Sequence, residues 1–141
     1  MAIRSYEIEG LDELLRDLAN FTDDAMPALN DASSTAAGIV LARAQSLVPV
    51  LTGNLLIKLK RSKKKLKRGD TVTFSTVSFG KGAAYGVPLE LGHRIVVRKK
   101  KVGKVAARPF LRPAADESRP LVEDILIAAM NRELDRLGGT K

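Results

Sequence analysis

The chain has 141 residues, 45% of them hydrophobic, which suits one domain with a buried core and argues against disorder. It contains no cysteine and one histidine, so disulfides, thiolate metal sites, cysteine nucleophiles and multi-histidine metal sites are excluded. The net charge is +8, and no apolar run approaches the length needed to cross a bilayer.

The N-terminal third is predicted to be helical after a short edge strand over residues 4–8. Leucines at positions 11, 14, 15 and 18 have the spacing of one helix face, which predicts a short amphipathic helix with that face toward the core. A second, longer helix is predicted to begin near Asp23 and Asp24, whose carboxylates suit a helix N-terminus. Pro27 then falls in its first turn, and Pro49 ends it.

A basic hairpin is predicted over residues 56–79. A turn at Thr52–Asn54 precedes it, and the alternation of apolar and polar residues over 57–60 and again over 71–79 predicts its two strands. The basic side chains of this segment, called here the first basic run, are Lys58, Lys60, Arg61, Lys63, Lys64, Lys65, Lys67 and Arg68.

A glycine loop, a short helix and a second basic stretch follow. Tyr85–Leu91 predicts a helix of a turn or two, limited by Pro88 and ended by Gly92. Residues 94–105 predict either an extended arm or a second hairpin. The basic side chains of this arm are Arg94, Arg98, Lys99, Lys100, Lys101 and Lys104, with Arg108 just beyond it.

The last quarter of the chain predicts an extended segment and then a helix. Pro109 and Pro113 favour extended backbone that presents Phe110 for burial. Apolar residues recur at helical spacing over 118–137. The whole predicts a single α+β domain with its core over residues 10–137, in which a small antiparallel sheet with its basic hairpin packs against a long helix of the N-terminal half and a C-terminal helix.

The positive charge is concentrated in the middle of the chain. Residues 58–108 hold sixteen basic and two acidic side chains, whereas residues 1–57 carry net −5 and residues 109–141 net −1. Two interpretations are open: solvated loops, or a surface that meets DNA, RNA or an acidic protein. The basic runs contain no aromatic side chain for base stacking, so any nucleic-acid contact is expected to be with phosphates and independent of sequence.

Two residues are candidates for chemistry. Glu90 is nearly alone among basic residues, and His93 follows a predicted helix end. We interpret Glu90 as a structural partner of a nearby arginine or lysine, and His93 as structural or exposed, in preference to catalytic roles. No catalytic residues, metal site or cofactor are predicted, and the protein is not expected to be an enzyme.

Three separated segments together resemble the neck, or tail-completion, proteins of long-tailed bacteriophages and prophages. They are Pro49–Leu55 with its Thr-Gly turn, Ala84–Gly92 with its Tyr…Glu-Leu-Gly pattern, and Ala107–Ala114 with its Pro-Phe-Leu-Arg-Pro sequence. The residues that match the family's motifs are Pro49, Thr52, Gly53, Leu55, Tyr85, Glu90, Gly92, Pro109, Phe110 and Pro113.

The resemblance implies a structural virion protein that joins head to tail, with these residues in scaffold and interface roles. Such a protein forms a homo-oligomeric ring, of six copies as first expectation and twelve as second, between connector and tail tube. Genome DNA passes through its lumen, with phosphate contacts only. We expect the first basic run to face that channel and the arm to pack on a neighbouring subunit or ring. The location implied is the virion, and the host cytoplasm during assembly. The alternative is a basic protein that binds nucleic acid without sequence preference.

Overall fold

A computed structural model describes residues 10–49 and 53–139. The elements in chain order are α1 (Leu11–Leu47), α2 (Asn54–Lys58), β1 (Leu59–Lys63), β2 (Ser75–Phe79), α3 (Gly86–Leu91), β3 (His93–Val97), β4 (Lys100–Val105) and α4 (Leu111–Gly138). The long helix α1 packs against α4 and against the hairpin β1–β2. The predicted single α+β domain is confirmed, although its strands form two separate two-stranded antiparallel sheets, β1–β2 and β3–β4. The strand predicted over residues 4–8 lies outside the described residues.

Helix α1 is one continuous helix of 37 residues, so the prediction of two helices is wrong. Pro27 lies in its interior and not in a first turn. The proline is exposed, so its ring disturbs no packing and the backbone carbonyl that it frees can be hydrated. Residues 19–22, Ala-Asn-Phe-Thr, contain no glycine or proline that would end a helix.

The first part of α1 also departs from expectation, because its apolar face is not buried. Leu11, Leu14, Leu15 and Leu18 retain 40 to 55% of their accessible surface. Helix α4 runs antiparallel to α1, since Arg43 pairs with Glu117 while Asp31 lies beside Ala129 at the other end of the contact. The leucines therefore extend past the end of α4 and have no covering element among the described residues.

The first hairpin is shorter than predicted. Residues 54–58 form α2, in which the Ile57 N–H donates to the Gly53 carbonyl oxygen at 3.1 Å, so strand β1 begins only at Leu59. The second strand begins at Ser75 and not at Thr71. The pairing is regular, from Leu59 opposite Phe79 to Lys63 opposite Ser75.

A buried amide fixes this hairpin on α1. Asn30 is 6% exposed, its Nδ2 donates to the Lys64 carbonyl oxygen at 3.0 Å, and its Oδ1 accepts from the Thr73 hydroxyl at 2.6 Å. Ser33 and Ser75 hydroxyls form a second link at 3.0 Å. Because a buried polar side chain is costly unless its hydrogen bonds are made, Asn30 specifies the register of the hairpin on the helix.

Helix α4 begins at Leu111, seven residues before the predicted start at Ser118. Pro113 is the third residue of the helix, where a backbone N–H has no helical partner, so it is compatible with the first turn. Pro120 lies inside the helix but is exposed. The prediction of extended backbone through Pro113 is therefore wrong. It was based on the two prolines alone, whereas the start of the helix depends on contacts made in the fold.

Helix α1 buries Ala25, Met26, Ala36 and Ala37 along its length, and the main hydrophobic cluster lies at its C-terminal end. Its buried residues come from the end of α1, the α2–β1 segment, the loop before α3 and the start of α4, and Phe110 is the largest of them to be fully buried. The cluster consists of Ala44, Val48, Leu55, Leu59, Ala83, Phe110 and Ala114. The ring of Phe79 packs edge-on against Phe110, with centroids 6.0 Å apart.

Candidate functional site

The first basic run lies mainly on β1 and on the loop that follows it, and three of its eight charges form ion pairs within the described residues. Lys63 Nζ lies 2.6 Å from an Asp31 carboxylate oxygen. Lys64 pairs with Asp70 at 3.2 Å. The first contact ties β1 to α1, the second links two residues of the loop, and both leave less positive charge for an external partner than the sequence suggests.

The remaining charges of the run differ in their surroundings. Arg68 pairs with Asp23 at 3.7 Å, and Arg61 Nη1 donates to the Ser34 carbonyl oxygen at 2.7 Å. The side chains of Lys58, Lys60, Lys65 and Lys67 make no ion pair within residues 10–49 and 53–139. These four lysines are the part of the run that remains available to a polyanion.

Asp70 shows how the loop organises its own charge. A backbone N–H of Lys67 donates to its carboxylate at 2.8 Å. This hydrogen bond, followed by the hydrogen bond from Lys64, holds the pKa of Asp70 below its ordinary value. The carboxylate therefore stays ionised and keeps the turn closed around the lysines.

The second basic stretch is a hairpin, β3–β4, that extends from the body as an arm. Val97 pairs with Lys100, so the connection has only two residues, Arg98 and Lys99. Both have positive φ, 47° and 65°, as a two-residue hairpin turn demands. Non-glycine residues adopt this conformation at a cost of roughly 1 kcal/mol each. The structure thus resolves the two predicted alternatives in favour of a second hairpin, which starts at His93.

The arm has little packing on its own subunit. Every residue of β3 is exposed, and so is every residue of β4 except Val105. At its root, Gly92 has φ 72° and ψ 161°, and a Cβ there would lie 2.8 Å from backbone atoms of Val105 and Ala107. An isolated two-stranded hairpin is marginally stable in water, so this one gains little stability from the rest of the described chain.

The two faces of the arm differ in chemistry. Residues 93, 95 and 97 alternate onto one face of β3, and Gly103 opposite Ile95 adds no side chain there. That face presents Ile95 and Val97, which are 41% and 53% exposed, and it also carries Lys100, which lies opposite Val97 beyond the register shift between Ile95 and Val96. The opposite face carries the cross-strand pairs Arg94–Lys104 and Val96–Lys101. We call the first of these the apolar face of the arm.

The described parts of the three motif segments meet in one place. Leu55 of the first and Phe110 and Ala114 of the third belong to the same buried cluster. The second segment contacts the first because Asn54 Nδ2 donates to the Tyr85 hydroxyl at 3.4 Å. It contacts the third because the Arg108 N–H donates to the Leu89 carbonyl oxygen at 2.8 Å. Thr52 lies outside the described residues.

Glu90 connects two of these segments by capping α4. Its Oε2 accepts from the backbone N–H groups of Phe110 at 2.7 Å and Leu111 at 3.0 Å, and its Oε1 accepts from Arg112 N–H at 3.0 Å. The prediction was a structural role beside an arginine or lysine; Arg112 does contribute its charge, but the hydrogen-bond partners are backbone donors, which satisfy the open end of the helix. The sequence pattern does not indicate that the backbone N–H groups bound by Glu90 come from residues about 20 positions later in the chain.

The ionisation of Glu90 follows from this geometry. Partial burial raises its pKa, but the three backbone hydrogen bonds, aided by the charge of Arg112, outweigh burial and leave the pKa below its ordinary value. Glu90 is therefore a carboxylate at neutral pH. His93, by contrast, is an exposed residue at the start of β3 and does not cap a helix.

A pocket of about 390 Å³ lies between the three segments and the root of the arm. Its lining is mostly apolar and includes Pro49, Leu55, Tyr85 and Leu89. The polar side chains in the lining include those of His93 and Arg108. A pocket of this kind can take an apolar side chain from a partner. No pattern in the sequence indicates this pocket, because no single segment contributes more than a few of its residues.

Comparisons of the chain with family models, with curated proteins and with solved structures gave no match. The likeness to phage neck proteins therefore depends on the three motifs quoted above. None of the helices within residues 10–49 and 53–139 combines the length and the apolar character needed to cross a membrane.

Proposed function

We propose that the protein is a structural subunit of the head–tail junction of a long-tailed bacteriophage or prophage, a neck or tail-completion protein that forms a ring around the DNA channel. The observation that carries the proposal is the arm: a hairpin with six basic side chains and an exposed apolar face that has little packing on its own subunit. A neighbouring subunit in a ring supplies the missing packing.

The meeting of the motif segments supports the same proposal. Glu90 ties the helix of the second segment to the start of α4, and the first segment packs on Phe110 of the third. The motif residues thus act together as a scaffold that fixes the root of the arm relative to the two long helices. A subunit whose task is to hold a projecting element at a set angle needs such a rigid base.

Deletion of the gene from the phage or prophage that carries it tests this function. We expect unjoined heads and tails in electron micrographs, restored to joined particles by the intact gene and not by a gene lacking residues 94–104. A gene with Glu123→Ala, on an exposed position of α4, serves as the matched control and should restore joining. Normal particles in the absence of the protein, or purified particles that do not contain it, would refute the proposal.

Sequence-independent binding of nucleic acid is the second candidate, favoured by the arm's exposed cations and by the four lysines of the first basic run that lack ion pairs. A salt titration of duplex DNA binding by the purified chain separates the two. A ring subunit binds weakly before assembly, whereas a nucleic-acid-binding protein binds tightly with a steep salt slope. The pairing of Lys63, Lys64 and Arg68 within the chain favours the first outcome.

A further inference from the structure

The first two turns of α1 form an apolar and acidic surface that no element among residues 10–49 and 53–139 covers. Leu14, Leu15 and Leu18 are at least half exposed, and with Leu11 they have the i, i+3, i+4, i+7 spacing by which a helix fills a groove. Residues 11–18 hold three acidic side chains, Asp12, Glu13 and Asp17, against one basic side chain, Arg16. We call residues 11–18 the leucine tip.

A surface of matching character lies at the opposite end of the molecule. His93 lines the 390 Å³ pocket and shares the apolar face of the arm with Ile95 and Val97. The pocket and that face are therefore contiguous, and together they form an apolar groove. Its surroundings are basic, because Arg108 lines the pocket and the arm carries six positive and no negative side chains.

The two surfaces of one chain cannot meet each other. The leucine tip begins α1, whereas the groove starts at Pro49, just beyond the end of that helix. A helix of 37 residues is about 55 Å long. Any contact between tip and groove must then join two copies, and because the two patches differ, it is a head-to-tail contact that closes into a ring or continues as a filament.

We propose that the leucine tip of one subunit docks into the groove formed by the pocket and the arm of a second copy. The leucines pack on the apolar face and into the pocket, while the acidic flank of the tip faces the basic side chains of the arm. The contact deepens the proposed function, on which it rests for the closed ring, by naming the two surfaces through which neighbouring subunits meet.

Charge distinguishes the leucine tip from the exposed apolar surface on α4. That helix also exposes large apolar residues, Leu121 and Ile127 among them. Its 28 residues, however, carry six acidic and four basic side chains, so its negative charge is much less dense than that of the tip. A strongly basic arm selects the more acidic surface because like charges repel and opposite charges steer the encounter.

Disulfide trapping between copies tests the contact, and the absence of native cysteine makes every disulfide attributable. Leu15→Cys and Val97→Cys chains, one of them extended by a tag, are mixed and oxidised, and the heterodimer is quantified by mass. Leu15→Cys with Ile127→Cys is the matched control, since Ile127 is 58% and Val97 53% exposed. We expect the Leu15–Val97 pair to form several-fold more heterodimer. A yield no higher than the control overturns the proposal.

Charge reversal supplies a second readout that a merely structural role would not produce. One double variant carries Asp12→Lys and Asp17→Lys on the tip chain, and the other carries Lys100→Glu and Lys101→Glu on the arm chain. Either one alone should lower the yield of the Leu15–Val97 heterodimer to the control level. The two combined should restore that yield. All four positions are exposed, so helix content by circular dichroism should be unchanged. Loss without restoration counts against the pairing of these two surfaces.

The outcomes for the contact and for the function are separable. If rings from purified particles trap other pairs but not positions 15 and 97, the proposed function stands and the contact is wrong. If positions 15 and 97 trap efficiently in a protein that is absent from purified particles, the contact stands as a self-association surface and the proposed function is wrong.

Discussion

Replacement of Glu90 by alanine is expected to destabilise the protein by removing the cap of α4. The carboxylate accepts three consecutive backbone N–H groups, those of Phe110, Leu111 and Arg112. Phe110 is fully buried, so its N–H cannot recover a partner from water once the carboxylate is gone. The loss combines a broken helix cap with a buried donor left unpaired.

The expected cost is about 3 kcal/mol for Glu90→Ala. A lost cap costs about 1 to 2 kcal/mol. A buried donor left unpaired, here the Phe110 N–H, adds about 1 to 3 kcal/mol. The lower part of that range applies because the Arg112 N–H belongs to an exposed residue and can be hydrated. Glu90→Gln keeps one acceptor oxygen but sets an amide donor against an N–H, and is expected to cost about 1 to 2 kcal/mol.

Urea unfolding followed by circular dichroism measures both variants against Glu123→Ala, an exposed change on α4 that should stay within about 0.5 kcal/mol of the parent. Because the pKa of Glu90 is lowered in the folded state, its contribution is present above the unfolded pKa and is lost as the pH falls through the folded value. The stability gap between parent and Glu90→Gln should accordingly shrink in acid. A Glu90→Ala cost below about 1 kcal/mol would refute the capping argument.

Three further changes follow from the packing. Phe110→Ala, which empties a fully buried site against Phe79, should cost about 3 to 5 kcal/mol in urea unfolding, and a cost near that of a surface change would contradict the assigned core. A Gly→Ala change is usually favourable in a helix, but Gly86→Ala should cost about 1 to 3 kcal/mol because the new Cβ would lie 2.4 Å from the Phe79 ring. If the variant is more stable than the parent, the ring moves freely and the argument is wrong. Lys99→Gly should relieve the positive φ at the arm tip and strengthen cross-strand nuclear Overhauser contacts between β3 and β4, with Lys101→Gly as a control that should weaken them.

The pattern of the sequence predicted the kinds of elements better than their limits. Alternation and helical spacing located the first hairpin and the two long helices, because these periods reflect which side of an element is apolar, whereas the second hairpin was left open against an extended arm. The helix boundaries failed at Pro27, Pro113 and Pro120. Pro113 lies in the first turn, where a backbone N–H has no helical partner, whereas Pro27 and Pro120 each remove one helical hydrogen bond at an exposed position that the helix tolerates.

The site depended on contacts that the sequence pattern does not contain. Glu90 was recognised as unusual, but its backbone donors follow from the fold alone. The leucines of residues 11–18 were correctly placed on one helix face, yet amphipathicity states which face is apolar and not what lies against it. The charges of the first basic run were counted in full, whereas Asp23, Asp31 and Asp70 neutralise three of them across the fold.

The buried cluster around Phe110 and Ala44 lies at one end of a long helix, and this uneven distribution implies uneven local stability. The opening turns of α1 have no buried side chain before Ala25, so they can unwind and reform while the cluster stays intact. Amide hydrogens there should exchange with deuterated solvent far sooner than those near Ala44, which are released only when the whole domain unfolds. The molecule thus combines a stable cluster around Phe110 with a first part of α1 that can change conformation on its own. Binding of that part to another surface therefore requires little change in the rest of the fold.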